Sequence, residues 1–151
     1  MIVDRRTASE DDVVAATAYA EARGEGKQGI QAVLCVIRNR VRNGWADRTW
    51  RGVCLEPFQF DPWNDGKSIT IDDQHMFKIC HEIAKSVRHG GASDITRGSD
   101  HYNNPVKEKK RQQEKYPNRQ DITGYLDDFP FNYNLTRTVV IGNHQFYRTR
   151  S

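Results

Sequence analysis

The sequence has few of the features that mark secreted, membrane or disulfide-rich proteins. Its 151 residues include only three cysteines, Cys35, Cys54 and Cys80, and these form no Cys-x-x-Cys pair. An odd and widely spaced set excludes a disulfide framework and indicates synthesis in a reducing cytosol. No apolar run follows the charged N-terminal residues 1–6. We therefore expect neither a signal peptide nor a transmembrane helix.

The excess of positive over negative charge is also small. The formal net charge is only +3, and residues 107–119 hold six basic and two acidic side chains, so the rest of the chain is close to neutral. This balance argues against a dedicated nucleic-acid-binding protein, and we predict no specific nucleic-acid partner. The length suits one domain, expected to span residues 1–151 and to be monomeric.

The first helix is predicted from its capping residues. Ser9 is a suitable N-cap with an acidic residue three positions later, and the helical stretch continues to Ala22. Gly24 is expected to end the helix because glycine tolerates a positive φ.

Glu21 falls on the inward face of this helix, near its C-terminal end. At about 100° per residue it shares that face with Val14, Thr17 and Ala18. A buried carboxylate is costly unless it is paired or functional. Burial and the negative end of the helix dipole are both expected to raise its pKa, as a general acid requires. The alternative is that Glu21 simply pairs with Arg23 or another arginine.

Further elements follow from periodicity. An apolar stripe predicts a second helix from Ile30 to Val41, ended by Gly44, and a third helix runs from the capped start at residues 70–73 to about His89. Residues 136–148 predict a β-hairpin with its turn at 142–143. Loops are expected over 45–66 and 94–104, and residues 107–133 receive no assignment. The fold class is therefore α+β and mainly helical. Three arginines flank the second helix's stripe and are expected to be solvated or paired with carboxylates: Arg38, Arg40 and Arg42.

The segment Pro57–Asn64 holds two prolines and three large aromatic residues, Phe58, Phe60 and Trp63. Such a fixed wall of aromatic rings often lines a carbohydrate or peptide cleft. The alternative is that the three rings fill the core beneath a loop.

Four stretches carry a family resemblance. They are Ala20-Glu21-Ala22-Arg23-Gly24-Glu25 with the helix end at 36–41, Pro57-Phe58-Gln59-Phe60 with Trp63, residues 94–102, and residues 141–148. In this order they resemble the SleB-type cell wall hydrolases, which include spore-cortex-lytic enzymes and phage endolysins. Residues 103–135 are longer than the family pattern and lie outside the resemblance.

The resemblance implies a lysozyme-like fold and cleavage of peptidoglycan glycan strands between N-acetylmuramic acid and N-acetylglucosamine. It implies that Glu21 is the general acid/base. We expect no metal and no cofactor. It assigns five residues to the cleft, for sugar stacking and hydrogen bonding: Gln59, Phe60, Trp63, His101 and Tyr102. His144 and Phe146 are expected to brace the hairpin.

The resemblance leaves hydrolysis and transglycosylation open. A hydrolase needs a second carboxylate, whereas a lytic transglycosylase uses one acid because the muramic 6-hydroxyl attacks internally. The candidates for a second carboxylate are Glu25, Asp61, Asp94 and Asp100.

Two other function classes compete with a glycosidase. A zinc-dependent amidase or peptidase is suggested by His81-Glu82, but position 85 is lysine, so the second histidine of a metalloprotease helix is missing. A non-catalytic module that binds wall polymer or nucleic acid is the other alternative. As an enzyme made in the cytoplasm, the protein is expected to reach the wall after holin-type release or from a virion.

Overall fold

The computed structural model describes residues 1–118 and 134–150, in two compact units, Met1–Ile95 and Thr96–Ser151. The first unit contains four α-helices: α1 (Glu10–Ala22), α2 (Gly26–Arg42), α3 (Trp50–Leu55) and α4 (Gln74–Arg88). Strands β1 (Ile2–Val3) and β2 (Ile69–Thr70) pair antiparallel, with Val3 opposite Ile69. The expectation of one domain over residues 1–151 stays a prediction. Among the described residues, no helix is both long and apolar enough to cross a bilayer.

Helix α1 is the centre of the first unit. Every side chain from Val13 to Tyr19 is buried, and the helix packs against α2, α3 and α4. The predicted cap is confirmed, since the Ser9 side chain accepts a hydrogen bond from the Asp12 backbone N–H at 3.2 Å. The predicted terminator is wrong. The chain continues past Ala22 into a 3₁₀ helix, Arg23–Glu25, and the glycine with a left-handed backbone is Gly26, with φ 75°.

The apolar stripe predicted for the second helix is confirmed, since Ile30, Val33, Leu34 and Ile37 of α2 are buried. Gly44 follows the end of α2 and has a φ of 85°. Two of the flanking arginines are nonetheless buried: Arg38 is 6% exposed and Arg40 is 5% exposed. The Arg40 guanidinium lies over the rings of Trp45, at 4.6 Å, and Phe60, at 5.3 Å. Stacking on aromatic faces lets this cation lie in the core.

Residues 45–66 are less irregular than predicted. They contain the short helix α3, whose N-cap Thr49 accepts a hydrogen bond from the Gly52 N–H at 2.9 Å, and a 3₁₀ segment, Asp61–Gly66. Helix α3 has only six residues, too few to show a sustained period.

Helix α4 begins as predicted, with the Asp73 carboxylate accepting a hydrogen bond from the Met76 N–H at 3.0 Å. Its buried side chains are Phe77, Cys80, Ala84 and Val87.

All three cysteines are free thiols buried in the first unit. Burial raises the pKa of Cys35 to about 11, that of Cys54 to about 12 and that of Cys80 to about 11. Thiols held so strongly in the protonated form act as small hydrophobic groups.

The second unit contains a three-stranded antiparallel sheet and one helix. Strands β3 (His101–Asn103), β4 (Leu135–Ile141) and β5 (His144–Thr149) lie in the order β3-β5-β4, and α5 spans Pro105–Lys115. The predicted hairpin is confirmed, with Ile141 opposite His144 across the turn at 142–143. Strand β3 falls in a predicted loop and α5 in an unassigned segment. Residues 119–133 of that segment lie outside the described residues.

Candidate active site

Glu21 lies in the last turn of α1 and is half-buried. The preceding turn on the same face is fixed by Thr17, whose hydroxyl donates a hydrogen bond to the Val13 carbonyl at 2.7 Å. Arg23, two residues on, forms an ion pair with Asp72 and donates a hydrogen bond to the Tyr19 hydroxyl. The Asp72 hydrogen bond raises the Arg23 pKa further, so this guanidinium has a carboxylate partner of its own. A half-buried acid near the end of a helix whose central residues are all buried suits a reactive group on a rigid support.

Glu25 closes the 3₁₀ turn and is also half-buried. It packs directly over Gly29 on the next helix, where an added Cβ would lie only 2.4 Å from the Glu25 Cβ. The absence of a side chain at Gly29 therefore allows the 3₁₀ turn to pack closely against α2. Sequence alone did not place Glu25, and the structure assigns it to this tight turn.

Phe60 and Trp63 are core residues, each 1% exposed. The Trp63 indole N–H donates a hydrogen bond to Thr17 Oγ1 at 2.8 Å, and the Trp63 carbonyl accepts one from Arg5 Nη1 at 2.8 Å. Neither ring has a face available for a sugar, so the structure contradicts the stacking prediction for these two residues. They instead anchor the Pro57–Asn64 segment to α1.

Gln59 and Phe58 are the exposed members of the same segment. Within the part of the chain that the structure describes, the Gln59 side chain has no hydrogen-bond partner, which leaves its amide available to a ligand. Phe58 is 83% exposed. Asp61 is exposed as well, and its Oδ1 accepts a hydrogen bond from Asn64 Nδ2 at 3.2 Å.

Asp94 has a structural role near the end of the first unit. Its Oδ2 accepts a hydrogen bond from Asn39 Nδ2 at 2.9 Å and lies 3.9 Å from Nη2 of the buried Arg38. Removing this carboxylate would leave a buried cation without its counter-ion.

In the second unit, Asp100 is 1% exposed and accepts several hydrogen bonds. The Thr149 N–H and hydroxyl donate to its two oxygens at 3.0 and 2.7 Å, and His101 Nδ1 lies 2.9 Å from Oδ1. Burial raises the Asp100 pKa, but the hydrogen bonds from His101 and Thr149 outweigh it and hold the pKa below its usual value. An ionised Asp100 accepts a hydrogen bond from the His101 Nδ1–H and so fixes the orientation of the His101 ring.

Tyr102 is half-buried beside this pair. Its ring meets His144 edge-on at 5.0 Å and lies 5.7 Å from Phe146. His144 and Phe146 are buried, and their role in bracing the hairpin against the cleft stays a prediction.

The family model for cell wall hydrolases matches residues 24–147 of the chain. The chain belongs to the cell wall hydrolase family. Its structure is similar to the catalytic domain of the germination-specific lytic transglycosylase SleB from Bacillus anthracis. The TM-score is 0.62 at 24% sequence identity, over 94% of this chain and 98% of that chain. A comparison with the curated proteins gives no match.

These findings confirm the resemblance to SleB-type cell wall hydrolases, the mainly helical α+β fold of lysozyme-like type, and an enzyme that degrades peptidoglycan. The family match begins at residue 24, so Glu21 lies just before it. The family match therefore does not cover Glu21, and the case for Glu21 as the catalytic acid rests on its position in the structure.

Two features of this cell wall hydrolase were not predicted from its sequence. One is which aromatic ring of the Pro57–Asn64 segment is exposed. Only the fold shows that Phe58 is exposed while Phe60 and Trp63 are buried. The other is the pairing of Asp100 with His101, although adjacent acidic and histidine residues in a polar stretch were a visible signal.

Proposed function

We propose that this cell wall hydrolase cleaves peptidoglycan glycan strands between N-acetylmuramic acid and N-acetylglucosamine, with Glu21 as general acid/base. The observation that carries the proposal is the half-buried position of Glu21 near the end of helix α1, just after the buried stretch Val13–Tyr19. Glycosidic cleavage needs such a carboxylic acid to protonate the leaving oxygen. The name of the structural relative, a lytic transglycosylase, supports the same chemistry.

The reaction can proceed with one acid. The protonated Glu21 carboxyl gives its proton to the glycosidic oxygen as the bond from muramic C1 to that oxygen breaks. The muramic 6-hydroxyl then bonds to C1, and its proton returns to the Glu21 carboxylate. The product is a 1,6-anhydromuramic end, no water is consumed, and the internal attack benefits from proximity.

Two of the four other candidate carboxylates have structural contacts, which supports the one-acid route. Asp100 is buried with its oxygens occupied by Thr149 and His101, and Asp94 is held by Arg38 and Asn39. The oxygens of both carboxylates are thus held by other protein groups. Glu25 and Asp61 are the candidates that a hydrolytic route would have to use.

The test is mass spectrometry of purified peptidoglycan digested by the wild type and by Glu21→Gln, each with and without a chelator. We expect anhydromuramic ends from the wild type that persist with the chelator and disappear in the variant. Reducing muramic ends would support glycan cleavage by hydrolysis instead. Released stem peptides lost on chelation would favour the metal amidase and contradict the proposal, and binding without any cleavage would favour the non-catalytic module.

An endolysin-like role is proposed with this activity, in which the enzyme meets the wall after holin-type release or from a virion. Expression alone in the cytosol should then leave cells intact, whereas co-expression with a holin should lyse them. Lysis without the holin would contradict release of this kind.

A further inference from the structure

Phe58 combines two unfavourable features. Its side chain is 83% exposed, while the other aromatic side chains of the segment, Phe60 and Trp63, are each 1% exposed. Its backbone also lies in the left-handed region, with φ 66°. This conformation is disfavoured for a bulky side chain, and a strained residue of this kind commonly marks a functional position.

The turn that carries Phe58 is held in place by hydrogen bonds. The Phe58 N–H donates to Asn64 Oδ1 at 3.1 Å, and the Gln59 N–H donates to the Glu56 carbonyl at 3.2 Å. The Trp63 N–H donates to the Phe60 carbonyl at 3.0 Å, which ties the turn to its two buried rings. The exposed ring is thus presented on an ordered support.

The same turn is attached to the helix that carries the proposed acid. Trp63 is hydrogen-bonded to Thr17, and Thr17 precedes Glu21 by one helical turn. The residue after Phe58 is Gln59, whose amide is exposed. An aromatic face beside an amide is suited to a sugar, because the apolar face of a pyranose packs on the ring while its hydroxyl and N-acetyl groups bond to the amide.

We propose that Phe58 is a sugar-stacking residue that binds an N-acetylhexosamine of the glycan strand. This inference rests on the proposed function and adds a specific substrate contact to it. The ring contributes affinity for the strand, whereas Glu21 carries the chemistry.

The test compares Phe58→Asn and Phe58→Trp with a matched control, Ala46→Asn. Ala46 is also exposed, with φ 51°. Asparagine tolerates the left-handed region, so both asparagine variants should melt at or above the wild-type temperature. Binding is measured to glycan strands stripped of stem peptides, with each change placed in a Glu21→Gln background so that the strand stays intact. Turnover is measured in the otherwise wild-type enzyme.

We expect Phe58→Asn to bind the strands roughly tenfold more weakly and to raise KM with little change in kcat. Phe58→Trp and Ala46→Asn should stay within about twofold of their parent. Unchanged binding in Phe58→Asn, or a tryptophan variant as weak as the asparagine variant, would overturn the proposal. If the wild type fails to cleave glycan strands, the proposed function fails, while the binding measurement still decides the role of Phe58.

Discussion

Thr17 offers a direct test of how the aromatic segment is anchored. Its Oγ1 accepts the Trp63 indole N–H at 2.8 Å, and the two residues are each 1% exposed. Valine has nearly the same shape as threonine but no hydroxyl. In Thr17→Val the buried indole N–H therefore loses its acceptor, while the α1 backbone keeps its own hydrogen bonds.

An unsatisfied buried donor costs about 1–3 kcal/mol. For a chain of this length, each kcal/mol corresponds to a change in melting temperature of roughly 2–4 °C, so Thr17→Val should melt roughly 2–12 °C below the wild type. The melting temperature is measured by circular dichroism at 222 nm and the free energy of unfolding by urea titration.

A double-mutant cycle with Trp63→Phe isolates the hydrogen bond from packing. In the phenylalanine background there is no indole N–H to leave unsatisfied, so the same Thr17→Val change should cost at least about 1 kcal/mol less. Equal costs in both backgrounds, or a Thr17→Val protein as stable as the wild type, would refute this account of the anchor.

Three further predictions concern packing and charge. Gly29→Ala should destabilise the protein although alanine normally favours a helix, because the new Cβ would lie 2.4 Å from the Glu25 Cβ; the control Gly24→Ala, with open space around it, should not. The three buried thiols should react with Ellman's reagent only in denaturant, and rapid reaction in the native protein would contradict their burial. Asp100→Asn should lower the free energy of unfolding at pH 7. Because the folded-state pKa of Asp100 lies below its ordinary 3.8, that deficit should shrink as the pH falls below about 4. A deficit of equal size in urea titrations at pH 7 and pH 3 would contradict this linkage.

The parts of the fold that could be predicted are those fixed by neighbouring residues. Ser9 and Asp73 cap helices through side-chain contacts three residues away, and the hairpin turn at 142–143 joins adjacent strands. These signals are local in sequence, so pattern reasoning finds them.

The parts that escaped prediction depend on distant partners. Strand β3 has three residues and exists because Tyr102 pairs with Phe146, far along the chain. The guanidinium of the buried Arg40 lies against the ring of Phe60, which is distant in sequence. Likewise, the burial of Trp63 depends on Thr17. Alternation and periodicity carry no information about such contacts, so the exposed and buried aromatic rings could not be told apart.

The most direct test of the central claim is the specific activity of purified Glu21→Gln on purified peptidoglycan, compared with Glu25→Gln and the wild type. All three proteins should first show wild-type circular dichroism and melting. We predict that Glu21→Gln loses at least about a hundredfold in kcat, as expected for removal of a general acid, and that Glu25→Gln loses much less. A folded Glu21→Gln enzyme within tenfold of the wild-type rate would contradict the assignment of Glu21 as the catalytic acid.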